Sequence, residues 1–176
     1  VGRGLGELTR GAPVSVTWRV PGRIELFGKH TDYCGGRVLV CAVDPAVTIT
    51  ATPGGETISA SSAGFGEPVR IEAGSDPHLP PGHWARYVQT VVDRLTSNFG
   101  PVTPCHLDIS SDLPPASGMS SSSAMICGTA LALADLNGFS STDAWTIHCP
   151  DRLSLAGYLA CVENGRSWGE LTGTTG

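Results

Sequence analysis

The most constraining stretch of this sequence is the connection between Cys105 and Leu136. Cys105, Leu107 and Ile109 alternate with His106, Asp108 and Ser110, the period-two pattern of a strand with one buried face. Leu113 to Ser123 then gathers Pro, Gly and Ser, and Ala124 to Leu136 is rich in Ala and Leu. A strand, a glycine- and serine-rich loop and a helix therefore follow one another directly. Such a loop has a specific chemical use. Glycine admits positive φ and close backbone approach, serines offer hydroxyls, and the first amides of the helix present a positive dipole end to an anion. A phosphate cradle is expected within Pro114 to Ala124. The alternative, a flexible Gly/Ser linker, fits poorly between a strand and an apolar helix.

The cradle cannot be a Walker loop. Lys29 is the only lysine in the chain and is followed by His30, so G-x-x-x-x-G-K-[ST] cannot be written, nor can the lysine and glycine-rich loop of protein kinases. Eleven Lys plus Arg against sixteen Asp plus Glu give a formal charge of −5, which argues against nucleic acid or an anionic membrane surface as partner. No run of about eighteen apolar residues is present to span a membrane. Six cysteines without a C-x-x-C pair read as free thiols in a reducing, cytoplasmic setting, and the five histidines lack zinc-ligand spacing.

Hydrophobic residues at 40% and charged residues at 15%, with 23 Gly and 13 Pro, fit a folded domain with many tight turns. Val14 to Val20 alternates as a half-buried strand, and Ile24 to Phe27 continues extended after Pro21-Gly22. Val38 to Val43 is a nearly continuous apolar run, and Ala46 to Thr52, Thr57 to Ser61 and Val69 to Glu72 read as further strands. The first third is thus expected to be a meandering sheet. Between them, Gly28 to Gly36 is a polar loop rich in His, Asp, Thr and Tyr. Trp84, Tyr87, Val88, Val91, Val92, Leu95 and Phe99 recur at helical spacing, predicting a helix over 83–99 closed by Gly100-Pro101. A last helix is expected from about Pro150 through Val162.

Two segments together resemble the GHMP small-molecule kinase superfamily, specifically its galactokinase branch. Pro21-Gly22-Arg23-Ile24-Glu25-Leu26-Phe27-Gly28-Lys29-His30-Thr31-Asp32-Tyr33-Cys34-Gly35-Gly36 is similar to the signature P-G-R-V-N-L-I-G-E-H-T-D-Y-N-G-G. Pro114 to Ala124 resembles the second motif, P-x-x-x-G-L-x-S-S-A, with Met119 for Leu. Trp84-Ala85-Arg86-Tyr87-Val88 is similar to the W-A-N-Y-V that opens a family helix. The resemblance implies an α+β fold, the GHMP N-terminal lobe (related to domain 2 of ribosomal protein S5), with a mixed sheet and helices packed on it. It also implies ATP and Mg²⁺, and transfer of the γ-phosphoryl group to the anomeric hydroxyl of a galactose-like monosaccharide.

Carried over by position, Arg23 would stand beside the transferring phosphate as the catalytic cation. His30 and Asp32 would hydrogen-bond sugar hydroxyls. Gly118, Met119, Ser120, Ser121 and Ser122 would form the phosphate loop, with Ser122, or alternatively Ser121, meeting Mg²⁺. Glu163 would be the hard-oxygen partner on the metal, and Trp84 would pack against adenine. Lys29 replaces a family glutamate that contacts the sugar. An ammonium there favours a sugar carrying a carboxylate, such as galacturonate, unless it turns away or pairs with Glu25.

The family's aspartate base and third, glycine-rich motif have no match in 1–176. The chain is therefore expected to be the N-terminal lobe of a longer kinase, its start trimmed or internal, without the C-terminal GHMP domain and with little turnover by itself. Two other readings remain open at this point: a non-catalytic sugar and ATP sensor, and a GHMP kinase for another alcohol. The sugar-branch loop Gly28 to Gly36 speaks against the latter.

Overall fold

The computed structural model describes residues 14–28, 31, 35–114, 117–171 and 173. Among the described residues, five strands form one mixed sheet, β1 (Val16–Phe27), β2 (Leu39–Pro53), β3 (Ile58–Ser62), β4 (Val69–Ile71) and β5 (Cys105–Ser111), in the order β1-β2-β5-β3-β4. All neighbours are antiparallel except β3 and β5, which run parallel. The expected meander is therefore corrected. β5, which follows the first long helix, inserts between β2 and β3, because its alternating apolar face has partners on both sides. The two separate strands expected at Val38–Val43 and Ala46–Thr52 are one continuous β2.

The described residues also form four helices, α1 (Ala85–Phe99), α2 (Ser121–Asn137), α3 (Asp143–His148) and α4 (Arg152–Glu163), with a 3-10 turn at Phe139–Ser141. The short α3 was not anticipated. It is fixed locally by Thr142, whose hydroxyl accepts from the amide of Trp145. α4 starts after Pro150, capped by the Asp151 carboxylate on the Ser154 amide.

The sheet's period-two pattern sorts its faces. Val47, Ile49, Ala51, Leu107 and Ile109 are buried toward the helices, while Thr17 and Thr50 pair their hydroxyls on the other face. α2 lies against β1 and β2, and small residues allow the approach: a Cβ on Gly128 would come within 2.8 Å of Ile49 Cγ1. The Trp18 indole N–H adds a bond to Asp135 near the end of the same helix. α1 and α4 pack on α2.

Beneath α4, Arg94 of α1 is fully buried. Its Nη1 donates to the carbonyl of Arg166 at 2.7 Å, and the guanidinium lies over the Tyr158 ring, 5.7 Å from its centroid. Among the described residues, its Nε and Nη2 have no partner.

Of the apolar run at Val38 to Val43, only Val43 packs against the core. Val38, Leu39 and Val40 are exposed, as are Leu26 and Phe27, the last at 73%. β2 pairs with β5 only from Val47 onward, so the outer half of the β1–β2 hairpin extends past the rest of the sheet.

Candidate active site

Three distant segments meet at one end of α2. The loop before it turns through Gly118 at φ +71°, where an added Cβ would meet nothing within 4 Å. Ser120 then enters the helix with a left-handed backbone, φ 57° and ψ 47°, and makes no side-chain cap. Among the described residues, the first-turn amides of this seventeen-residue helix have no side-chain cap. A non-glycine residue in this conformation is strained, and such strain is characteristic of ligand-binding turns.

The loop is anchored to β1. The Arg23 amide donates to the carbonyl of Met119 at 3.0 Å, and Gly22 fits underneath, where a Cβ would lie 2.5 Å from Leu113 Cδ2 and 3.0 Å from the Met119 oxygen. The β1–β2 register shifts at this point, between Pro21 and Arg23. Arg23 is exposed, and its guanidinium forms no ion pair among the described residues, which leaves its charge available to an anion.

From the other side, Glu163 at the end of α4 reaches the first turn of α2. Ser122 Oγ donates to its Oε1 at 3.0 Å, and Ser123 Oγ lies 2.8 Å from both Oε1 and Oε2. Ser122 and Glu163, paired above on motif alone, are thus neighbours in space. Ser123 was missed, because four consecutive serines give no hint of which hydroxyls point where.

No group of three or more His, Cys, Asp or Glu side chains able to hold a metal occurs among the described residues. One carboxylate and a hydroxyl suit Mg²⁺, which keeps several waters and takes its remaining ligands from substrate phosphates. Zn²⁺ would need more N or S donors. The donor set therefore fits the cation that the motif resemblance implies.

Trp84 is 7% exposed and belongs to the hydrophobic core at the start of α1, with the His83 ring 5.5 Å away. The expectation that it lies against adenine finds no support in this placement: its helical spacing to Val88 and Val91 turns it inward. Lys29, His30 and Asp32 lie outside the described residues. The neck of their loop is described. Thr31 Oγ1 donates to the carbonyls of Gly28, at 2.6 Å, and Arg37, at 3.2 Å, and the Gly36 amide donates to the carbonyl of Thr31 at 2.8 Å. Among the described residues, no helix is long and apolar enough to cross a membrane.

Known proteins resemble this chain in sequence and fold. The galactokinase galactose-binding signature matches residues 8–53, and the GHMP kinases N terminal domain matches residues 86–157. A galactokinase from Thermotoga neapolitana is 33% identical over 121 residues, which cover 69% of this chain and 33% of that protein. The Thermotoga maritima galactokinase matches to the same extent. The chain thus spans about a third of the length of the curated relatives it matches. The structure of Lactococcus lactis galactokinase complexed with galactose superposes with a TM-score of 0.71 at 25% identity, covering 85% of this chain and 37% of that one. Methanococcus jannaschii mevalonate kinase shares the fold, with a TM-score of 0.65 at 22% identity over 88% of this chain and 48% of its own. The galactose-binding signature followed by the GHMP kinases N terminal domain makes this a GHMP-kinase-like chain and, within that superfamily, a galactokinase-like one.

Proposed function

We propose that these residues form the nucleotide- and sugar-binding lobe of an ATP-dependent kinase that phosphorylates the anomeric hydroxyl of galactose or a close relative. The observation that carries this reading is the junction at Met119. There the strand bearing the sugar signature and the loop bearing the phosphate cradle are tied by the Arg23 amide, so acceptor and donor sites are held together.

In this reading Gly118 to Ser122 receive the phosphates through loop hydroxyls and the uncapped amides of α2, where the helix dipole favours negative charge. Arg23, anchored through its backbone, offers a permanently charged guanidinium to the transferring group. Ser122 and Glu163 would hold Mg²⁺, which supplies neutralisation of phosphate charge when bound. With charge neutralised and the partners aligned, positioning accounts for most of the rate. His30 and Asp32 serve the sugar hydroxyls. Lys29 adds a positive charge to the same loop: facing the substrate it favours a carboxylate, galacturonate over galactose, and turned away or paired with Glu25 it leaves galactose as the substrate.

The test is sugar-dependent ADP release from MgATP by the longest form of the protein, comparing galactose, galacturonate and other epimers. Release with galactose supports the reading as stated, and release with galacturonate alone assigns specificity to Lys29. Sugar and ATP binding without release would replace the kinase by a sensor.

A further inference from the structure

Ser123 stands outside the positions that the motif assigns to phosphate or metal, yet it makes the closest contacts to Glu163. We infer that Ser123 is the positioning residue that fixes the Glu163 carboxylate for a divalent cation, leaving Ser122 to act as the hydroxyl ligand. The inference deepens the metal site proposed above and rests on that reading.

Electrostatics makes such a device necessary. Glu163 is the last residue of α4, at the negative end of the helix dipole, and no basic residue lies in the last turn of that helix. It has no ion-pair partner among the described residues. The side chain is exposed, so it loses rotamer freedom by staying in one place. The counterweight is across the gap: Ser122 and Ser123 belong to the first turn of α2, its positive end. Glu163 therefore bridges the negative end of one helix and the positive end of another.

The two hydroxyls divide the work by geometry. Ser123 is equidistant from both carboxylate oxygens, at 2.8 Å, so its single proton is shared between them and holds the carboxylate in position, while the one-sided Ser122 contact restrains its rotation. Each oxygen keeps lone pairs for a cation. Ser122 meets only Oε1. It can donate its proton to Glu163 while turning its lone pairs to the metal. With one carboxylate in the donor set, the orientation of that group decides affinity, and residues that orient a ligand typically matter by 10–100-fold.

The experiment has two arms. Mn²⁺ binding in the presence of ADP is followed by electron paramagnetic resonance for the parent, Ser123→Ala, Ser123→Thr and Ser122→Ala. Thermal unfolding without metal is followed for Ser123→Ala, Glu163→Gln and the double variant. Ser123→Ala is expected to weaken Mn²⁺ binding about tenfold, Ser123→Thr to restore it, and Ser122→Ala to abolish it. The two single changes are expected to lower Tm non-additively. Parent-like Mn²⁺ affinity in Ser123→Ala, or strict additivity, would overturn the inference. A parent that binds no Mn²⁺ while the unfolding cycle stays non-additive would remove the metal reading itself and reduce Ser123 to a strut between helices.

Discussion

The amide of Arg23 donates to the carbonyl of Met119, so the residue expected to face the transferring phosphate and the loop expected to bind it cannot move independently. Gly22 is what permits this contact. Gly22→Ala would drive a methyl group against Leu113 and the Met119 oxygen, costing about 1–3 kcal/mol as overpacking. Urea denaturation is expected to show that loss, together with a higher KM for ATP. Unchanged stability and KM would show that the loop yields without consequence.

Ser120 offers the opposite experiment. Its left-handed backbone carries a penalty of roughly 1–2 kcal/mol for any residue with a Cβ. Ser120→Gly removes it against about 0.5–1 kcal/mol of added chain entropy, so a net gain of about 0–1.5 kcal/mol is expected. Ser120→Val, β-branched in the same conformation, is expected to destabilise. Both follow from urea midpoints, and a loss with Gly would mean the hydroxyl matters more than the backbone.

Lys29 inverts the charge that the galactokinase signature carries at its position. Lys29→Glu is expected to raise the ratio of kcat/KM for galactose over galacturonate. A ratio that does not move would exclude Lys29 from specificity.

Alkaline pH should loosen the fold at identifiable places. Burial pushes the Cys105 and Cys149 thiols from 9.0 up to about 11. Burial also raises Tyr158 above its ordinary 10.0, with Arg94 opposing part of that shift. The folded protein keeps these protons longer than the unfolded chain does. Their stabilising contribution is therefore full below about pH 9 and declines toward pH 11. Urea midpoints at pH 8, 9.5 and 10.5 should fall in that order. In the same range Cys41, which is exposed, should react with a thiol reagent well before Cys105 and Cys149.

Local signals in the sequence located most elements and part of the site. The 3.6-residue spacing of Tyr87, Val88, Val91, Val92 and Leu95 placed α1 to within two residues, and the Pro/Gly/Ser stretch marked the turn into α2. What the sequence hid is non-local. Nothing in Ile58–Ser62 announces a parallel partner at His106 to Ile109, and the exposure of Val38 to Val40 depends on where β5 stops. Ser123 was invisible for another reason. Consecutive residues in a helix point about 100° apart, so which serine meets Glu163 is fixed only when α4 docks. Trp84 shows the converse, where a motif match and a core position coincide at one residue.

The contacts that build the site also bear on how the chain folds. Ser122 and Glu163 are separated by 41 residues, and the Arg23 to Met119 bond closes more than half the chain. Loops of that size form late, since their closure entropy must be met before the contact rewards it. The phosphate end of α2 is thus complete only when the hairpin and α4 have both arrived. Recovery of nucleotide or metal binding after dilution from denaturant should follow the slowest folding phase, making the site a reporter of the whole fold.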